Sequence, residues 1–143
     1  MSTEEKTTIT VETIVNAPIE KVWNFWTAPK HIVNWNNASD DWHTPTAEND
    51  LREGGKFTSR MEAKDGSFGF DFGGVYDKVK TNELIAYTIG DGRKVEILFS
   101  QIGDTTKITE LFEAEATHSI EMQQGGWQAI LNNFKKYTET TAG

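Results

Sequence analysis

The residues from Thr117 to Tyr137 constrain this chain more than any other stretch. Trp127, Ile130, Leu131, Phe134 and Tyr137 recur at i, i+3, i+4, i+7 and i+10, which is one face of a helix. Thr117 or Ser119 is placed to cap its start by accepting a hydrogen bond from a free backbone N–H. Glu121 suits the positive end of the helix dipole, and Lys135 and Lys136 the negative end. A helix with one apolar stripe needs a surface to lie on. Gly125-Gly126, just ahead of Trp127, is the oddity. Each glycine in a helix interior costs about 1 kcal/mol against alanine. The pair therefore marks a kink, a close approach to a sheet, or space left for something else.

The rest of the chain supplies strands. Ile9, Val11, Thr13 and Val15 alternate with Thr8, Thr10 and Glu12, predicting a half-buried strand over 7–15. Pro18 suits the first turn of a helix, and Ile19, Val22, Trp23 and Trp26 give that helix an apolar side. Pro29 interrupts it and starts a second short helix carrying Ile32, Val33 and Trp35. Residues 36–53 read as irregular, with a strand from His43 to about Asn49.

Gly54-Gly55 turns into a strand over Lys56–Ala63, in which Phe57, Ser59 and Met61 share a face. Asp65-Gly66 signals a hairpin, and its return strand runs from Phe68 to Val79. That strand sets Phe68, Phe70 and Phe72 against Gly69, Asp71 and Gly73, so one side should be dry and the other closely crossed or bulged. Turns at Thr81–Glu83, Gly90-Asp91-Gly92 and Gly103-Asp104 separate strands over Leu84–Ile89, Arg93–Ile102 and Lys107–Glu115. Thr138 to Gly143 should fray. Strands in one block with helices at the ends mean α+β. The long helix can bury its stripe only in the concave face of a curved sheet. Such a grip, closed at one end by two small helices, encloses a cavity.

The totals narrow the function. One domain is the simplest reading of 143 residues, and the chain is long enough for a sizeable core. A net charge of −8 without a Lys/Arg cluster argues against nucleic acid and anionic lipid surfaces. There is no cysteine, which removes disulfides and thiolate sites. No apolar run has the length of a membrane span, and polar Met1–Lys6 is no signal peptide, so the expected location is cytoplasmic. Five Trp, eight Phe and three Tyr are a large apolar area for so short a chain. Such rings fill cores and line apolar pockets.

The sequence resembles the START-like, or SRPBCC, superfamily with its helix-grip fold. Within it the chain is similar to the stand-alone domains named after the homologue of the heat-shock-protein-90 ATPase activator. The resemblance rests on Ala17-Pro18-Ile19-Glu20-Lys21-Val22-Trp23, Pro29 and Trp35, then Asp50-Leu51-Arg52-Glu53-Gly54-Gly55-Lys56-Phe57 and Asp65-Gly66. It continues through Gly74-Val75-Tyr76, Asn82-Glu83-Leu84-Ile85, Thr105-Thr106-Lys107-Ile108-Thr109 and Gly125-Gly126-Trp127-Gln128-Ala129-Ile130-Leu131. The resemblance implies one β-α-α-β6-α domain over 1–143, ordered over about 7–138, with a hydrophobic cavity between sheet and helix. It further implies ligands such as lipids, plant hormones and polyketides, cyclisation in some members, and chaperone contact in the namesake. A fold carries over better than a function does.

The expected cavity walls are Trp35, Phe57, Met61, Phe70, Phe72, Tyr87, Ile97, Phe99, Met122, Gly126, Trp127 and Ile130, set against the plain alternative that these residues only fill the core. Glu110 joins them if Ile108 and Phe112 face inward, where its pKa would rise. An unpaired buried glutamate is rare, so the opposite register, with Leu111 inside and Glu110 in water, carries more weight. Asp40, Asp41 and His43, or Glu113, Glu115 and His118, lack metal-ligand spacing, and no metal or cofactor is expected. No nucleophile elbow or phosphate loop is present. Trp42 is a lid, a partner contact or a half-buried loop ring.

Three functions follow as expectations. The first is non-catalytic binding of a small hydrophobic or aromatic molecule. The second is a protein-interaction module in which the acidic surface matters. The third is a cyclase-type enzyme using Glu110 or Tyr87 as acid or base.

Overall fold

The structure, a computed structural model, describes residues 7–37, 39–90 and 92–141. Its elements run β1 (Thr8–Val15), α1 (Ile19–Thr27), α2 (Pro29–Trp35), β2 (Trp42–Asn49), β3 (Lys56–Ala63), β4 (Gly69–Lys80), β5 (Leu84–Ile89), β6 (Lys94–Ile102), β7 (Thr105–Glu113) and α3 (Ile120–Thr140). This is the expected β-α-α-β6-α order. Met1–Lys6, Asp91 of the expected Gly90–Gly92 turn, and Ala142-Gly143 lie outside the described residues.

The strands form one antiparallel sheet in the order β1-β7-β6-β5-β4-β3-β2. From β2 to β7 each strand pairs with its successor, a meander built on short turns. Left-handed backbone falls where the sequence supplies residues that tolerate it. Gly66 has φ +79°, Asn82 +64° and Gly103 +60°. The Gly103-Asp104 loop is so tight that pairing starts at once, with Ile102 opposite Thr105. That is why β7 begins at Thr105 rather than at the expected Lys107.

β1 and β2 lie at opposite edges of the sheet, so the connection between them must cross its inner face. α1 and α2 make that crossing: α1 lies over β6 and β7, and α2 lies against β2. Ile19, Val22, Trp23 and Phe25 of α1 are buried. Phe25 stands outside the expected stripe because α2 folds back onto it. Its ring stacks on His31 at 3.9 Å, and its carbonyl accepts a 3.0 Å hydrogen bond from Trp35 Nε1.

α3 starts at Ser119, whose hydroxyl accepts from the Met122 N–H at 3.1 Å, and runs unbroken through Gly125-Gly126. Side chains on its outer flank bond the carbonyls of the β1 edge. Gln124 reaches Thr10, Gln128 reaches Glu12 and Lys135 reaches Ile14, at 3.2, 3.2 and 2.7 Å. An edge strand otherwise offers these acceptors to another chain. The bonds hold α3 along β1, so the helix does not sit over the middle of the sheet. Leu131, Phe134 and Thr138 are fully buried, and the helix continues to Thr140. Thr138 to Thr140, expected to fray, instead continue the helix, and the Thr138 side chain is packed inside.

The strand of three phenylalanines also departs from expectation. Phe68 is 60% exposed and Phe70 41% exposed, so that side of the hairpin is not dry. The glycine side behaves as expected, since a side chain at Gly73 would run into the Phe57 carbonyl of β3.

Candidate functional site

The inner face of the sheet carries one row of side chains from each strand. On β7 the row is Thr106, Ile108, Glu110 and Phe112, all buried. The register paired with β1 and β6 sets this choice, placing Glu110 opposite Val11 and Ile97. The weightier sequence reading, with Leu111 inside and Glu110 in water, is thus overturned. Long-range pairing decides which face an alternating strand buries.

Because α3 is held at the β1 edge, its stripe leaves a hollow over β3, β4 and β5. The hollow has a volume of about 440 Å³. That lies within the range of small-molecule sites, roughly 300–1,000 Å³. Phe57, Ser59 and Met61 from β3, Phe70, Phe72 and Tyr76 from β4, and Ile85 and Tyr87 from β5 form its floor. Ile97 and Glu110 extend the floor, while Gly126, Trp127 and Ile130 of α3 form the roof. Trp26, Ile32, Trp35, Asn36, Ser39 and Trp42 close one end.

Eleven expected wall residues come together here: Trp35, Phe57, Met61, Phe70, Phe72, Tyr87, Ile97, Glu110, Gly126, Trp127 and Ile130. Phe99 and Met122 do not join them. Phe99 is buried instead against α1, with its ring 5.2 Å from Trp23 and 5.9 Å from Trp26. Met122 is 64% exposed on the first turn of α3. Sequence reasoning missed Ser59 and Tyr76 as walls, although alternation placed Ser59 beside Phe57 and Met61. It also missed the contributions of Asn36 and Ser39, which sit between α2 and β2 where periodicity carries no signal.

The glycine pair finds its explanation here. A methyl group added at Gly126 would meet nothing within 4 Å, so no close neighbour requires a glycine. The space beside it is the hollow itself. One residue on, Trp127 lies flat on Phe112, with ring centroids 3.9 Å apart and planes 10° apart. This stack and the Trp127–Phe72 edge contact at 6.2 Å fix one wall. At the rim, Trp42, Phe68 and Phe70 form a triangle with each pair of ring centroids 6.0 Å apart.

Polar groups inside are few. Tyr76 Oη donates to Asn49 Oδ1 at 2.5 Å, and burial raises the tyrosine's pKa. Tyr87 is raised as well, by burial first and then by the nearby Glu110 carboxyl. Glu110 is 4% exposed and has no hydrogen-bond or ion-pair partner among the described residues. Burial among Val11, Ile97 and the rings raises its pKa to about 8. The other acidic and histidine candidates are elsewhere, on the surface: His43 pairs with Glu62 at 3.7 Å and His118 with Glu115 at 2.8 Å.

A seven-stranded curved sheet gripping a C-terminal helix over an apolar hollow defines a helix-grip protein. The family model described as Activator of Hsp90 ATPase homolog 1-like protein matches residues 16–139, and the chain belongs to that family. It is similar to the solution structure of the AHSA1-like protein from Aeromonas hydrophila, at 40% identity and a TM-score of 0.87, over 96% of this chain and 99% of that one. A Cytophaga hutchinsonii protein, also solved in solution, is 64% identical with a TM-score of 0.81, and 92% of each chain is covered. A crystal structure from Chromobacterium violaceum shares the fold at 21% identity and a TM-score of 0.82, covering 94% of this chain and 99% of that one. No curated protein matches the chain. Among the described residues no helix is long and apolar enough to cross a membrane.

Proposed function

We propose that this protein binds a small hydrophobic or aromatic molecule, without catalysis, in the hollow between α3 and the sheet. The observation that carries this reading is the hollow of about 440 Å³ beneath Gly126, at a helix position where any larger side chain would enter it. A chain selected only for a filled core would gain from a larger residue there, both in helix propensity and in packing. Adding a panel of lipids and flavonoid-like aromatics to the isotope-labelled protein tests the reading by NMR shift mapping. Shifts concentrated on Trp127, Phe72 and Ile97 are expected for at least one class of compound. A panel that leaves Trp127 unmoved argues strongly against it.

A second reading, a protein-contact module like the activator for which the family is named, draws on the exposed Phe68 and Phe70 and the half-buried Trp42 at the rim. Aromatic residues are enriched at protein interfaces. In that case a pull-down responds to Phe68→Ser and ignores substitutions inside the hollow.

A further inference from the structure

The chemistry inside the hollow says more about the ligand than its size does. Among the described residues nine aromatic rings contribute to the walls, and no Lys, Arg or His does. Ring faces carry negative potential, and they attract a cation that has shed its water. Amid them stands one carboxyl group, Glu110, which is buried and has no partner among the described residues. A buried polar group without a partner costs stability until something bonds to it. Nothing among the described residues does so, and the hollow gives another molecule access. The chain's net charge of −8 disfavours an anionic occupant. A purely apolar occupant would leave the carboxyl unbonded.

We propose that the ligand is a lipophilic ammonium ion: an apolar or aromatic body with one protonated amine that donates its N–H groups to the Glu110 carboxylate while the surrounding rings face its positive charge. This specifies the ligand class of the binding reading above and rests on it. The elements packed around Glu110 present Val11 from β1, Ile97 from β6, Ile85 and Tyr87 from β5, Tyr76 from β4, and Trp127 and Ile130 from α3. Only the two tyrosines titrate, and burial drives both upward, so they stay neutral between pH 6 and 8.

With its pKa near 8, the empty-site carboxyl holds its proton at pH 6, and an ammonium must displace that proton to bind. Ammonium affinity therefore rises with pH, on the order of 50-fold between pH 6 and 8, and one proton is released per molecule bound near pH 6.5. A neutral analogue has the opposite tendency, because ionising Glu110 beside it leaves a dry, unpaired charge.

The test is calorimetry on the full chain with naphthylethylamine and, as the neutral counterpart, naphthylethanol. Titrations at pH 6 and 8 give affinities, and two buffers of different ionisation enthalpy give the proton count. The amine keeps its charge across this range, since alkylammonium groups titrate near pH 10. The expected result is amine binding that strengthens with pH and exceeds alcohol binding at pH 8, with proton release. Glu110→Gln should abolish both the amine preference and the release. If the alcohol binds as well as the amine at pH 8, or the amine preference survives Glu110→Gln, the ammonium proposal is overturned and cavity binding stands. If neither compound binds and the NMR panel also leaves Trp127 unmoved, the cavity reading itself fails.

Discussion

The two halves of α3 meet the sheet differently. Toward the C-terminus, Phe134 is fully buried, with its ring 4.8 Å from Trp26 and 5.0 Å from Trp35, and Leu131 and Thr138 are equally enclosed. That end is filled like any core. Toward the N-terminus, Gly126, Trp127 and Ile130 face a hollow with an unpartnered carboxyl in it. The same helix, on the same sheet, thus makes a core at one end and a chamber at the other. Side-chain size accounts for part of the difference, since Phe134 reaches the short helices and Gly126 reaches nothing. The bonds from Gln124 and Gln128 to the β1 carbonyls account for the rest, because they hold the N-terminal half of the helix away from β3 and β4.

The largest expected effect on stability belongs to the hollow end. Glu110 titrates at about 8 in the folded protein, while its ordinary value is 4.5. Below pH 4.5 the carboxyl is protonated in both the folded and unfolded chain and has no differential effect. Between 4.5 and 8 only the folded state holds the proton, so stability falls as pH rises, and the loss is complete above 8. At roughly 1.4 kcal/mol per pH unit, the total is on the order of 5 kcal/mol. Glu110→Gln removes this dependence. Urea titrations should give the variant its greatest advantage over the parent at pH 9, declining as pH falls to 4.5. A constant difference across that range would mean that Glu110 does not titrate in a dry site.

The filled end should respond as a core does. Phe134→Ala is expected to cost about 4 kcal/mol, the usual result of truncating a fully buried ring. The loss should be nearly the same at pH 7 and pH 9, because the rings packed on Phe134 are those of Trp26 and Trp35, which do not titrate. A Phe134→Ala variant with a pH-dependent deficit would show the two ends to be energetically coupled, which weakens the contrast between them.

The sequence exposed the filled end more fully than the hollow one. A helical stripe such as Leu131 and Phe134 reports its own burial, because 3.6-residue periodicity is local. Strand limits at Lys56–Ala63 and Leu84–Ile89 were legible for the same reason, with turn residues marking both ends. Glu110 was not legible. An alternating strand fits two registers equally well, and only the partners Val11 and Ile97, far away in sequence, select one. Met122 shares a helix face with Gly126, yet its turn of α3 lies exposed, and periodicity alone does not say where a supporting surface stops. Phe68 and Phe70, expected on a dry face, form an exposed rim, because hydrophobicity does not distinguish an enclosed wall from a doorway.

The smallest expected effect on stability is also the sharpest test of what the hollow is for. Gly125 and Gly126 both sit inside α3, and a methyl group at either would meet nothing within 4 Å. Alanine at each position should therefore raise stability by about 1 kcal/mol through helix propensity alone. The two positions then part company. Gly125 is exposed and does not line the hollow, so Gly125→Ala should leave ligand affinity unchanged. Gly126 does line it, and Gly126→Leu should project a branched side chain into the space and weaken ligand binding at least tenfold while the fold remains intact. Thermal denaturation and calorimetry on the same samples measure both quantities. Equal affinity in Gly126→Leu and Gly125→Ala would mean that the occupied space lies elsewhere, and that the glycine facing the hollow has no part in holding it open.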